Sequence, residues 1–220
     1  METGNNEIRM QLALWFSLHG DLRFLSHHDT MRLWQRAFTR AQLPIRYSSG
    51  FNPHMRLSLP LPRSVGMACR RELLLAEWQG TALTAGQHMA LQKELPAGLA
   101  VREASLVPAH RAYQPQWAVY RLQLGPQVDG DALQACIEAF LQKKECTIVR
   151  PAHGRHPKRK IPARTCLAEL RREGDSLIYK LLIQPKGTVR LDEIAELLEI
   201  QKPGDILGIE RLETEYHTGN

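Results

Sequence analysis

No two cysteines in this sequence are spaced to share a ligand. Cys69, Cys136, Cys146 and Cys166 are scattered, with no CxxC or CxxxCxxC arrangement, so the chain offers neither a recognisable zinc site nor the clustered thiolates of an iron–sulfur centre. They are expected to be reduced and buried, packing as small hydrophobes. Long apolar runs are also missing: no window approaches the ~18 uninterrupted apolar residues of a membrane span. The opening METGNNEIRM has no apolar segment behind its charges. That argues against a signal peptide or membrane anchor and for a cytoplasmic protein.

Acidic residues are in the minority. Lys and Arg total 29 against 23 Asp and Glu, a formal net charge of +6 in 220 residues, which favours a polyanionic partner over a neutral one. The hydrophobic and charged fractions, 43% and 24%, are those of a globular chain, long enough for one large or two small domains.

The apolar spacing predicts an α+β protein. Met10 to Leu18 read as a strand, with Asp21 to Leu25 extending it past Gly20. Ser26 and Asp29 resemble a capping box, and Met31, Trp34, Ala37, Phe38 and Ala41 recur at helical spacing until Pro44. Strands over Leu57 to Leu61 and Glu72 to Trp78, a helix over Thr84 to Leu95 and a strand over Leu99 to Val107 complete a β-α-β-β-α-β order. The order repeats after Ala118, without aligned residue identity. Its parts are strands at Ala118 to Leu124, Cys146 to Arg150, Leu167 to Arg171, Ser176 to Gln184 and Ile206 to Tyr216, with helices at Asp131 to Gln142 and around Leu191 to Leu198. The expectation is two ferredoxin-like units in tandem. They span residues 10–107 and 118–220, after a flexible amino terminus (1–9) and around a linker (108–117).

Three stretches carry candidate chemistry. RPAHGRHPKRKIPAR, Arg150 to Arg164, holds six Lys or Arg, two His and no acid. A Pro- and Gly-containing loop of this charge projects cations toward phosphates, and Arg150, Arg155, Lys158, Arg159, Lys160 and Arg164 are its candidate contacts. Arg32, Arg36 and Arg40 stand four apart and share one helix face, which is expected to line the same side as Arg46 and His54. His27, His28 and Asp29 open that helix, where the carboxylate also complements the helix dipole; without a third ligand at i+4, zinc is poorly supported.

The third stretch is SSGFNPHMRLSLPLPRSVG, Ser48 to Gly66. Ser-Ser-Gly supplies a permissive turn, Asn52-Pro53 fixes a second, and His54 is held at the mouth of a β-β connection with Arg46, Arg56 and Arg63 nearby.

RFLSHHDTMRLWQRAFTRAQLPIRYSSGFNPHMRLSLPLPRSVG, Arg23 to Gly66, closely resembles the start of the bacterial radical-SAM-linked protein family, a domain of unknown function. Its members show an R-F-L-S-H-x-D segment, a helix and then Y-S-x-G-F-N-P-H. KGTVRLDEIAELL, Lys186 to Leu198, is similar to the family's G-T-x-R-P-x-E-V segment, with Leu191 in place of the usual Pro. IPARTCLAEL lacks the acid of the family's K-x-x-D-x-R pattern. The resemblance implies association with a radical S-adenosylmethionine protein. This chain has no cysteine cluster to carry that chemistry itself, so no cofactor of its own is expected.

The expected function is that of a non-catalytic accessory protein for such an enzyme, one that presents structured RNA. Its ligand or partner face would comprise Arg32, Arg36, Arg46, Asn52, His54 and Arg56. The alternative is a metal-independent endoribonuclease resembling the CRISPR repeat-processing enzymes. There His27, His28 or His54 would be the general base for a 2′-hydroxyl, and Tyr47 or an Arg would stabilise the phosphorane. Such enzymes have a glycine-rich loop near their end, where KPGDILGIE has only Gly204 and Gly208.

Overall fold

The computed structural model describes residues 9–109, 112–152, 158–184, 187–200 and 204–219. It divides into two compact units, residues 1–114 with 216–220, and residues 115–215. Both are α+β.

In the first unit, β1 (Met10–Leu18) pairs antiparallel with β3 (Met67–Trp78) on one side and β4 (Leu99–Pro108) on the other, with Leu14 opposite both Leu74 and Ala104. The short β2 (Leu57–Ser58) pairs with Leu75 and Ala76 of β3, so the order is β4-β1-β3-β2. Period-two alternation sorts the side chains. Leu12, Leu14, Phe16 and Leu18 turn with Leu74, Ala76 and Trp78 toward the main core, which also holds Trp34, Ala37 and Phe38 of α1 (His27–Arg40) and Leu91 of α2 (Ala85–Lys93). Trp34 is fully buried, its ring centroid 5.0 Å from that of Phe16 and 5.6 Å from that of Phe38. The other face buries Ala13 and Leu73 with Tyr216.

Local chemistry sets the helix ends. The Ser26 hydroxyl accepts from the Asp29 amide at 3.1 Å, and the Thr84 hydroxyl accepts from the Gln87 amide at 3.2 Å. Two expected strands differ. Residues 21–24 belong to a 3-10 helix, Gly20–Phe24, with Leu25 as its cap, because Gly20 at φ 64° turns the chain out of the sheet. The strand expected over Leu57 to Leu61 is only two residues long, since Pro60 and Pro62 have no N–H for a ladder.

The second unit holds β8 (Leu167–Glu173), β9 (Ser176–Leu182) and all but the ends of β5 (Tyr113–Leu124) and β10 (Ile206–Thr218), in the order β10-β5-β9-β8. Tyr120 stands opposite Tyr179, their rings stacked at 5.1 Å, and burial pushes the Tyr179 hydroxyl well above its ordinary pKa. β5 begins inside the segment expected as a linker, with Pro115 already in the strand. α3 (Gly130–Gln142) starts at Asp129, whose carboxylate accepts from the Asp131 and Ala132 amides, and buries Leu133, Ile137 and Phe140. The basic stretch is less loop than expected. Its flanks are β6 (Thr147–Arg150) and β7 (Arg159–Pro162), an antiparallel hairpin with Ile148 opposite a fully buried Ile161. The four-residue α4 (Ala163–Cys166) follows, and α5 (Leu191–Leu197) precedes β10.

All four cysteines are free; Cys69 and Cys166 are buried, while Cys136 and Cys146 are half-buried. No described helix is long and apolar enough to cross a membrane.

Candidate ligand-binding surfaces

The arginines around the Ser48 to Gly66 stretch are mainly structural. Arg63, 9% exposed, donates through Nη1 to the carbonyls of Arg23 (2.9 Å) and Met67 (3.3 Å). Through Nη2 it donates to the carbonyls of Leu22 and Leu25 and, at 2.9 Å, to the Thr30 hydroxyl. Its guanidinium therefore ties the 3-10 helix and the entry to α1 to the start of β3, adding to the Gly66 and Leu25 amides that already reach the Arg23 and Leu22 carbonyls. Arg46 and Arg56 both approach the carboxylate of Glu77, at 3.8 and 3.1 Å.

Between these arginines the loop locks itself. The Ser48 amide donates to the His54 carbonyl (2.8 Å), the His54 amide donates to the Ser48 hydroxyl (3.1 Å), and that hydroxyl lies 2.9 Å from His54 Nδ1. Nδ1 is engaged, so Nε2 of this exposed ring is the nitrogen available to a ligand. Tyr47 bridges to Met55 and is half exposed, Asn52 is exposed, and Phe51 at the tip is fully exposed. His54 and Arg56 share a cleft with Gln11, Leu75 and Glu77, which alternation turns to the sheet face opposite α1.

The expectation that one surface gathers the arginine stripe and His54 is therefore corrected. Arg32, Arg36 and Arg40 line a separate cleft of about 640 Å³ beside the end of α2, on the helix side. Arg46 lines a third cleft, with Trp78 and Gln79. His27 and His28 are exposed at the start of α1, ring centroids 5.8 Å apart. Asp29 is engaged by the Ser26 hydroxyl (2.7 Å) and by Arg32 (3.7 Å). Among the described residues no three His, Cys, Asp or Glu side chains converge on a point where a metal would sit.

Arg150 leaves the set of phosphate-facing cations. It grips Glu193 with two bonds, Nε to Oε1 at 2.5 Å and Nη2 to Oε2 at 2.7 Å, and donates to the Thr188 carbonyl at 2.7 Å. Glu193 also accepts from the Arg190 amide. Burial works to raise the Glu193 carboxyl, but the Arg150 bond, the amide bond and the two positive charges prevail, so its pKa is lowered. The hydrogen bond to Glu193 raises that of Arg150. Burial likewise raises the Cys166 thiol. Gly187 has φ 108°, and a Cβ there would also come within 3.4 Å of Ile161 Cδ1. Gly187, Thr188, Arg190 and Glu193, residues of the second similar segment, thus hold the β6–β7 hairpin at Arg150 and Ile161.

On the facing side of the hairpin, where Arg159 pairs with Arg150 and Lys160 with Val149, Lys158, Arg159 and Lys160 are exposed and have no carboxylate partner among the described residues. Arg164 is half-buried and donates to the Leu141 carbonyl at 3.4 Å. Arg155 lies outside the described residues. Lys93 and the 94–96 turn, which complete the α1 cleft, had no local signal in the sequence, because only tertiary packing brings α2 beside α1.

These features define an α+β protein with clefts and a cationic hairpin. Over residues 11–192 the chain matches the family model described as "Uncharacterized protein conserved in bacteria (DUF2344)", and it belongs to that family. No curated protein matches it significantly.

Proposed function

We propose that this protein is a non-catalytic, cytoplasmic accessory protein that associates with a radical S-adenosylmethionine enzyme and holds structured RNA for it. The observation that carries RNA binding is the hairpin. One of its cations, Arg150, is spent on Glu193 while Lys158, Arg159 and Lys160 stay exposed, and exposed cations with no carboxylate partner among the described residues suit a phosphate backbone. The enzyme association rests on the resemblance of Arg23 to Gly66. The same reading takes the two units as tandem ferredoxin-like domains meeting in the 108–117 segment. The orders β4-β1-β3-β2 and β10-β5-β9-β8 support it, each being strand four, one, three, two of its unit when the β6–β7 hairpin is counted as an insertion.

Binding is favoured over RNA cleavage. A ribonuclease must bring a general base and a charge-stabilising donor to one 2′-hydroxyl. His54 is oriented, yet its neighbour Arg56 is engaged by Glu77, and His27 and His28 sit on the helix that packs against the other sheet face. Cross-linking and pull-down from native cells, identifying protein and RNA together, tests the proposal. Recovery of a radical S-adenosylmethionine enzyme with intact RNA is expected. Recovery of neither contradicts it, and RNA cut by the purified protein alone moves the assignment to the nuclease.

A further inference from the structure

The cleft beside α1 has a chemistry of its own, distinct from that of the hairpin. Its floor is apolar: Leu22, Leu25, Leu33 and Leu95, closed by Pro96. Along one wall Arg32, Arg36 and Arg40 follow each other at one-turn intervals, about 6 Å apart, and Lys93 faces in from the end of α2. Two acids partly neutralise this wall, Asp29 beside Arg32 at 3.7 Å and Glu94 on Arg40 at 2.7 Å. Arg36 and Lys93 are exposed and have no carboxylate partner among the described residues.

We infer that this cleft is a docking groove for an acidic amphipathic helix of a partner protein. A row of cations at helical pitch beside a leucine floor complements a helix that carries carboxylates four apart next to an apolar stripe. From Asp29 to Arg40 the wall runs for about 16 Å, three turns of such a helix. A compact anion would call for cations converging on one point, whereas these stand in file. Single-stranded nucleic acid is the poorer fit, because no aromatic side chain among the described residues lines the cleft to stack a base. Cations flanking the apolar contact would set register and speed association.

The test uses the full chain and a fluorescein-labelled peptide of Ala, Leu and Glu, about 18 residues long, with Glu at every fourth position beside a Leu stripe. A second peptide has every Glu replaced by Gln. The Glu peptide should bind at least about tenfold more tightly than the Gln peptide, and Arg36→Glu with Lys93→Glu should remove that difference. The double variant should in turn prefer a peptide with Lys in place of Glu. Lys158→Glu with Lys160→Glu applies the same change of net charge at the hairpin and should leave peptide affinity unchanged. Equal binding of the Glu and Gln peptides overturns the inference. So does equal loss in the hairpin variant, which would reduce the effect to net charge, or displacement of the Glu peptide by transfer RNA, which would make the cleft a nucleic-acid surface. All substituted positions are exposed, and a circular dichroism melt matching the parent's confirms that each variant is folded.

Discussion

The Arg63 guanidinium donates to the Arg23 carbonyl at 2.9 Å across 40 residues of sequence. This contact ties the first family-like segment, Arg23 to Asp29, to the chain downstream of the second, Tyr47 to His54, and it gives Arg63 a structural role without any appeal to chemistry at the arginine. Replacing Arg63 with Ala removes its bonds to four carbonyls and to the buried Thr30 hydroxyl and should cost about 2–4 kcal/mol in urea unfolding, with proteolysis first between residues 19 and 30. Arg63→Lys should recover little, because a single ammonium cannot span carbonyls that the guanidinium reaches from two nitrogens. Near-parental stability of Arg63→Ala would contradict the clamp.

The Arg150–Glu193 pair gives unit two an acid-sensitive anchor. Glu193 has a folded-state pKa lowered from 4.5, so its contribution is complete above that value and is lost as the pH falls through the folded-state pKa. Urea unfolding from pH 7 down to pH 3, a range set by ordinary carboxylate titration, should show a smaller acid loss in Glu193→Gln than in the parent. Arg150→Ala leaves a carboxylate that is 11% exposed without its main partner, and should cost about 3 kcal/mol at neutral pH. Identical pH profiles for parent and Glu193→Gln would remove the pair from this role.

His54 should matter for binding more than for folding. Its ring is exposed, and the loop's backbone bonds to Ser48 do not require the imidazole. His54→Ala should melt within about 0.5 kcal/mol of the parent while weakening recovery of the partner or RNA in a pull-down. Ser48→Ala, which frees the ring and removes the acceptor of the His54 amide, should reduce both. Lost stability with retained binding in His54→Ala would make the histidine structural.

Much of the fold is legible in the sequence where one period dominates. Trp34, Ala37 and Phe38 mark the buried face of α1, and Leu12, Leu14 and Phe16 mark that of β1. What the sequence hides is set by tertiary partners. Arg150 reads as one more cation of a basic run until Glu193, 43 residues on, is brought against it. Likewise His54 and Arg36 look like members of one surface until strand alternation puts Gln11, Leu75 and Glu77 beside the first and helix packing puts Lys93 beside the second. The prolines mislead in both directions: Pro60 and Pro62 curtail β2, whereas Pro115 lies within β5.

The salt dependence of RNA binding tests the central claim most directly. Each cation–phosphate contact releases a counterion, so log K falls with log salt by about 0.7 to 0.9 per contact. Replacing Lys158, Arg159 and Lys160 together with Ala should lower the slope for a labelled transfer RNA by roughly two units while leaving the melt unchanged. Arg171→Ala removes a cation already held by Glu169 and Glu173 and should leave the slope as it was. An unchanged slope in the triple variant, or no measurable affinity of the parent at low salt, would contradict the account.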